Sequence, residues 1–264
     1  MSEEKDNSFK LVDAVGDLVG SVTGVTIASL HQGVGVYEGA VLGPGVAHAF
    51  KYVARLFLDR VMAKRERQRV GLVYALTAAA IQRRLDAGDR IRDDDFFDRD
   101  ITDRSKADEV AEAVLIAAQR EHEERKLLFL ANLLASFAFE SQIDQGMANY
   151  FVKLASALTY RQYCLLEIAN SRHGHTLLPP GLLNRSQRED PVQVFAVLAE
   201  CFELYRLGLV TFTDQSGPVT KVEDMGLQAM ALDVPMGSYL HIGMRLQEIR
   251  HEDIANAAKL ISAP

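Results

Sequence analysis

PVQVFAVLAECFELYRLGLVTFTDQSGPVTKV, residues Pro191–Val222, changes character part-way and decides how the chain is read. Pro191–Leu207 predicts a helix, with Pro191 suited to its first turn, where the missing N–H costs nothing. Gly208 ends it. Leu209–Thr213 then alternates like a strand, Asp214–Pro218 is turn chemistry, and Val219–Val222 is expected to return as the second strand of a small hairpin. Upstream, Thr159 to Asn170 predicts another helix, capped by Thr159, and Leu177-Leu178-Pro179-Pro180-Gly181 punctuates the chain between the two. Helices followed by a small hairpin have the outline of a winged helix.

Working back towards the N-terminus, Ile143-Asp144 through Ala157 predicts a further helix. Ser105, followed by Asp108 and Glu109, has the chemistry of a helix start: the hydroxyl accepts orphan amides and the acids complement the N-terminal dipole. From there the pattern is helical to about Phe139, with Val110, Val114, Leu115, Ala118, Leu127, Leu130, Leu133, Leu134 and Phe137 as its apolar face. The charged insert REHEERK, residues 120–126, is expected to be its solvated turn, with Glu121 and Arg125 as an i,i+4 pair. Asp89–Asp103 holds seven aspartates and reads as a loop or short helix, a domain boundary, and a segment that could dock on the basic run before it. That run, Lys51–Arg69, has seven Lys or Arg against Asp59 and Glu66. Phe50, Val53, Ala54, Phe57, Leu58 and Val61 fall at helical spacing. One amphipathic helix is therefore expected through Val70–Leu85, stopping at Ala87-Gly88.

The first fifty residues are different. Leu18–Tyr37 is twenty residues without a charge, and eight glycines lie between Gly16 and Gly45. Gly16, Gly20, Gly24 and Ala28 recur every four residues, as do Gly35, Gly39, Gly43 and Ala47, so on helices each set forms a smooth stripe along one face. Glycine costs about 1 kcal/mol per residue in a helix relative to alanine, and close backbone packing is the compensating gain. As a helix, Leu18–Tyr37 would span ~30 Å, the thickness of a hydrocarbon core. Ser21, Thr23, Thr26, Ser29, His31 and Gln32 make it only marginally apolar, which leaves a buried hairpin as the other reading. Lys51, Arg55, Lys64, Arg65, Arg67 and Arg69 follow as expected contacts to an anionic surface.

With 264 residues, 48% hydrophobic and 25% charged, the composition excludes a disordered or disulfide-framework chain. The formal charge of −7 argues against nucleic acid as a partner. So does the expected recognition helix, whose Glu200 and Glu203 stand beside a single Arg206. Cys164 and Cys201 lie in apolar stretches and suit a reduced, cytoplasmic protein. The acidic start MSEEKDNSFK lacks a signal-peptide pattern. His173 and His175 lack the further ligands of a tetrahedral metal site. Asp93, Asp94, Asp95, Asp98 and Asp100 lack the glycine and terminal Glu of a calcium loop. No nucleophile elbow or phosphate-binding glycine loop is present, Ser238 after Gly237 lacking the second glycine. Neither a catalytic residue nor a cofactor is expected.

Several short motifs resemble the bacterial abortive-infection alpha family, a domain of unknown function associated with phage defence. Glu121 and Glu124 precede Leu130-Ala131-Asn132-Leu133-Leu134-Ala135, which is similar to the family's Trp-Ala-Asn-Leu-Leu-Ala core. Leu158-Thr159-Tyr160 matches the start of its next helix, Arg206-Leu207-Gly208-Leu209-Val210 matches an Arg-Leu-Gly-Leu-Ile helix end, and Gly226 stands for a later glycine. The similarity spans roughly residues 115–230. Leu130 replaces the family's Trp, Tyr160 its Pro, and Val222-Glu223 its Leu-Thr pair. The resemblance implies a role in antiviral defence and no catalytic residues.

Together these readings predict a mainly α protein in three parts. Residues 1–50 form glycine-striped helices for oligomerisation or conditional membrane insertion, residues 51–157 a helical bundle, and residues 158–264 a winged-helix-like portion with its small β-hairpin. The expected function is non-enzymatic defence by self-assembly or membrane perturbation after activation. The alternative is a regulator or adaptor that binds a protein partner, or less favourably DNA, through the winged helix.

Overall fold

Ser105 starts a helix as its chemistry requires. Its Oγ accepts the N–H of Asp108 at 3.1 Å, and the Asp108 carboxylate accepts the N–H of Ser105 at 2.8 Å, which satisfies two amides at one helix end. In the computed structural model, which describes residues 62–99, 101, 104–170, 191–212, 230–232 and 236–261, the chain is mainly helical. It divides after Ala157 into two compact units, Met1–Ala157 and Leu158–Pro264.

The described part of the first unit holds α1 (Lys64–Asp86), α2 (Lys106–Arg120), α3 (Leu127–Phe137) and α4 (Gln145–Ala157). Helix α3, LLFLANLLASF, is apolar apart from Asn132 and Ser136, and only Leu134 of its eleven residues escapes burial. A helix of that kind must be surrounded. It packs against α1, α2 and α4, and α2 also packs against α1 and α4. Gly88 ends α1 at φ +94°, where its N–H reaches the carbonyl of Leu85 and that of Asp89 reaches Arg84. Asp144 starts α4 by accepting the N–H of Met147 at 2.7 Å.

Three expectations for this unit are corrected. The basic helix is not continuous from Lys51, because Ala63 is extended (φ −63°, ψ 155°) and α1 begins at Lys64. Glu66 captures the Ala63 N–H at 2.8 Å, converting that position into a helix start. The helical pattern from Ser105 to Phe139 turns at REHEERK, where Glu121 is extended and a 3-10 turn, Glu124–Lys126, leads into α3. The insert is not wholly solvated: Glu121 and Lys126 are buried and paired at 2.5 Å, so Glu121 answers Lys126. Finally, the aspartate-rich segment lies inside the first unit, with a 3-10 turn at Asp95–Phe97. Its described carboxylates meet Arg84, Arg92 and Lys106 through Asp89, Asp94 and Asp95.

The second unit contains α5 (Tyr160–Asn170), α6 (Pro191–Arg206), β1 (Val210–Phe212), β2 (Met230–Leu232), α7 (Met236–Met244) and α8 (His251–Ile261). Thr159 caps α5 reciprocally with Gln162: Thr159 Oγ1 accepts the Gln162 N–H at 3.1 Å and Gln162 Oε1 accepts the Thr159 N–H at 2.8 Å. Helix α5 is the centre of the unit, in contact with α6, α7, α8, β2 and the 3-10 turn Leu246–Glu248. Gly208 ends α6 at φ +68°, as the helix-to-strand reading requires.

The strand that pairs with β1 differs from expectation. β1 runs antiparallel to Met230–Leu232, with Val210 opposite Leu232, Thr211 opposite Ala231 and Phe212 opposite Met230. Residues 219–222, expected to supply that strand, lie outside the described residues. A two-stranded ribbon is not stable alone and needs a helix beneath it. β2 packs on α5, which supplies that helix.

Candidate functional site

Two surfaces and a set of buried polar pairs are the places where chemistry could reside. The first surface is the start of α1. Arg65 and Arg69 are one turn apart on one face and approach the 3-10 turn, where Glu124 Oε1 lies 3.2 Å from Arg65 Nε and 3.8 Å from Arg69 Nε. Arg69 also donates from Nη1 to the carbonyl of Gln119 at 3.2 Å and is largely covered. Lys64 and Arg67 are exposed on the other side of the helix. The six basic positions expected to share an anionic contact thus divide: Arg69 is largely covered, Arg65 is exposed but paired with Glu124, Lys64 and Arg67 are exposed on the other side, and Lys51 and Arg55 lie outside the described residues. Gly16, Gly20, Gly24, Gly35, Gly39 and Gly43 also lie outside them.

The second surface is the outer side of α6. Val192, Phe195, Ala196 and Ala199 are exposed at spacings of three and four, with Val192 at 75% and Phe195 at 41%. Two acids of the same helix, Glu200 and Glu203, are tied to α5, while Arg206 is exposed. Arg161 on α5 donates from Nε and Nη2 to the two oxygens of Glu200 at 2.6 and 2.9 Å, and Gln162 Nε2 donates to Glu203 at 2.8 Å. The apolar stripe thus occupies the first half of the helix, and the exposed Glu203 and Arg206 continue the same face towards its end.

The buried pairs are structural clasps. Arg92, whose side chain is 2% exposed, donates to both Asp94 oxygens and to the carbonyls of Phe137, Ile143 and Ser141, while its guanidinium lies 4.1 Å over the Phe96 ring. That hydrogen bonding to Arg92 holds the Asp94 carboxyl below the usual aspartate range. Lys126 Nζ pairs with Glu121 and donates to the carbonyl of Ser156 at 3.1 Å, near the end of α4. Cations suit that end of a helix. In the second unit, His241 Nε2 on α7 meets Glu167 Oε2 on α5 at 2.5 Å, both side chains being largely covered.

Sequence reasoning missed Arg92, Lys126, Glu167 and His241. The available signal was weak: each stands beside apolar residues, which is also the setting of an ordinary surface charge next to a core position.

Cys164 and Cys201 are buried and reduced. Burial, reinforced by the negative Glu200, pushes the Cys201 thiol up to about 12, so it carries essentially no thiolate near neutrality. Among the described residues no three His, Cys, Asp or Glu side chains are grouped as metal ligands. His173, His175 and Asp100 lie outside that set. No described helix is long and apolar enough to cross a membrane.

The chain matches no family model, no curated protein sequence and no solved structure. The resemblance to the abortive-infection alpha family accordingly rests on its short motifs alone.

Proposed function

We propose that this is a defence protein of the abortive-infection kind, acting by self-assembly and by engaging an anionic membrane surface rather than by catalysis. The observation that carries the reading is the basic start of α1, exposed at Lys64, Arg65 and Arg67, in a chain whose residues 16–47 have a glycine-striped sequence that suits close helix packing. At rest the protein is cytoplasmic, and activation brings residues 16–47 into helix–helix or bilayer contact. The test uses the full chain with dye-loaded vesicles of mixed phosphatidylcholine and phosphatidylserine, read by leakage, with assembly followed by light scattering. Gly20→Leu and Gly39→Leu are expected each to abolish assembly or leakage while the second unit stays folded. Unchanged behaviour of both variants would sink the reading.

A second reading is an adaptor that binds a protein partner through a winged-helix-like second unit. The exposed stripe Val192, Phe195, Ala196 and Ala199 favours it, because an apolar helix face suits a protein groove. The same stripe argues against DNA, whose phosphates require Lys and Arg at that position. Duplex binding at physiological salt is expected to be weak and insensitive to sequence. A dissociation constant on the order of 10⁻⁸ M for one sequence would reverse the ranking.

A further inference from the structure

Acids favour the first turn of a helix because they complement the partial positive charge there, and cations at that end are disfavoured. The first two turns of α1 nevertheless carry Lys64, Arg65, Arg67 and Arg69 against one acid, Glu66. Glu66 is already committed to the Ala63 N–H. Departures from a local stability rule concentrate where a protein has another use for the residues.

The carboxylate that answers this charge comes from elsewhere in the bundle. Glu124 stands in the 3-10 turn between α2 and α3, and its Oε1 reaches Arg65 Nε at 3.2 Å and Arg69 Nε at 3.8 Å. The contact is solvated, with Glu124 52% and Arg65 75% exposed. Ion pairs of that exposure are weak, comparable in strength to the attraction between one basic side chain and an anionic bilayer. A surface rich in anionic headgroups can therefore compete for both arginines without unfolding anything.

We propose that Glu124 is an internal counter-ion that withholds Arg65 and Arg69 from an anionic bilayer surface, and that anionic headgroups displace it on docking. The inference rests on the membrane reading above and adds its regulation. Docking turns Arg65 outward, leaves Arg69 partly held by the Gln119 carbonyl, and places Glu124 in water.

The experiment measures partition of the full chain onto phosphatidylcholine vesicles with and without phosphatidylserine. Glu124→Gln is expected to raise partition onto the anionic vesicles about fivefold, equivalent to about 1 kcal/mol, and to leave partition onto the neutral ones unchanged. Arg65→Gln with Arg69→Gln is expected to lower anionic partition and to remove the gain from Glu124→Gln. If the parent binds anionic vesicles and Glu124→Gln binds them equally, the counter-ion proposal falls and the membrane reading stands. A gain that persists without Arg65 and Arg69 also overturns the proposal, since it would come from net charge alone. Failure of parent and variant alike to bind overturns both.

Discussion

The two units bury charge in different ways. In the first, buried cations hold backbone: Arg92 gathers the carbonyls of Phe137, Ser141 and Ile143 around the connection between α3 and α4, and Lys126 takes that of Ser156. In the second, side chains meet side chains across the faces of α5: Tyr160 with Asp253, Arg161 with Glu200, Gln162 with Glu203 and Glu167 with His241. The difference follows from the helices. Helix α3 is buried on nearly every side with only Asn132 and Ser136 polar, and the ties of Arg92 and Lys126 fall where the chain breaks and turns. The polar surface of α5 instead specifies which face meets which neighbour. Polar ties at helix breaks secure loops, whereas polar ties between helices select their pairing.

The largest expected effect breaks the first arrangement. Lys126→Ala leaves Glu121 as an unpaired buried carboxylate, and removal of one partner from a buried pair costs roughly 3–5 kcal/mol. Chemical denaturation should show that loss, with hydrogen exchange rising first in α4. Replacing both partners by apolar residues should recover much of it, and a double variant as unstable as the single one would mean that the charge is not what matters. In the second unit, Glu167→Gln keeps a hydrogen-bonding group opposite His241 and should cost much less than Lys126→Ala. An equal loss would erase the contrast between the units.

Gly237 sharpens the comparison from the backbone side. A Cβ there would lie 2.0 Å from the carbonyl oxygen of Leu209, so the first turn of α7 sits directly on the chain entering β1. Gly237→Ala should destabilise the second unit by roughly 1–3 kcal/mol, the usual scale of overpacking, visible as faster exchange in α7 and β1 with the first unit unchanged. Gly208→Val is expected to cost a similar or smaller amount, about 1–3 kcal/mol, through strain at φ +68° alone, because a Cβ there meets nothing within 4 Å. An unchanged melting temperature would remove Gly208 from the helix-ending role.

The smallest effect depends on pH. Asp94 has its folded pKa below the ordinary aspartate value because it accepts hydrogen bonds from Arg92. A depressed folded pKa contributes stability that is fully present above the unfolded value, near 4, and disappears as pH falls through the folded one. Asp94→Asn should therefore flatten the acid limb of the stability curve below about pH 4 and lower the plateau at neutral pH. The acid limb of the parent should be the steeper of the two. Equal slopes would show that Asp94 does not contribute to acid unfolding.

Much of the helical architecture is legible in the sequence, because helix ends are local chemistry. Ser105 with Asp108, Asp144, and Thr159 with Gln162 satisfy amides two or three residues away, while Gly88 and Gly208 adopt backbone conformations that other residues resist. The apolar faces of α2 and α3 are equally local in origin, since a spacing of three and four residues needs no partner to be recognised. Of the candidate site, the basic character of α1 is legible; its division into held and outward-facing residues is not.

What tertiary structure alone decided joins residues distant along the chain. Whether a charge in REHEERK is solvated depends on where Ser156 comes to lie, thirty residues later, and Lys126 is buried because that carbonyl and Glu121 receive it. β1 pairs with Met230–Leu232 and β2 packs on α5, contacts that no turn motif contains. Gly237 must be glycine because the backbone of Leu209 occupies the space of its side chain. By itself the sequence determined where helices begin and end and which faces are apolar, through interactions within about one turn. Tertiary structure determined which charges are buried, which strands pair and which cations are held, because each of those depends on a partner that sequence spacing does not specify.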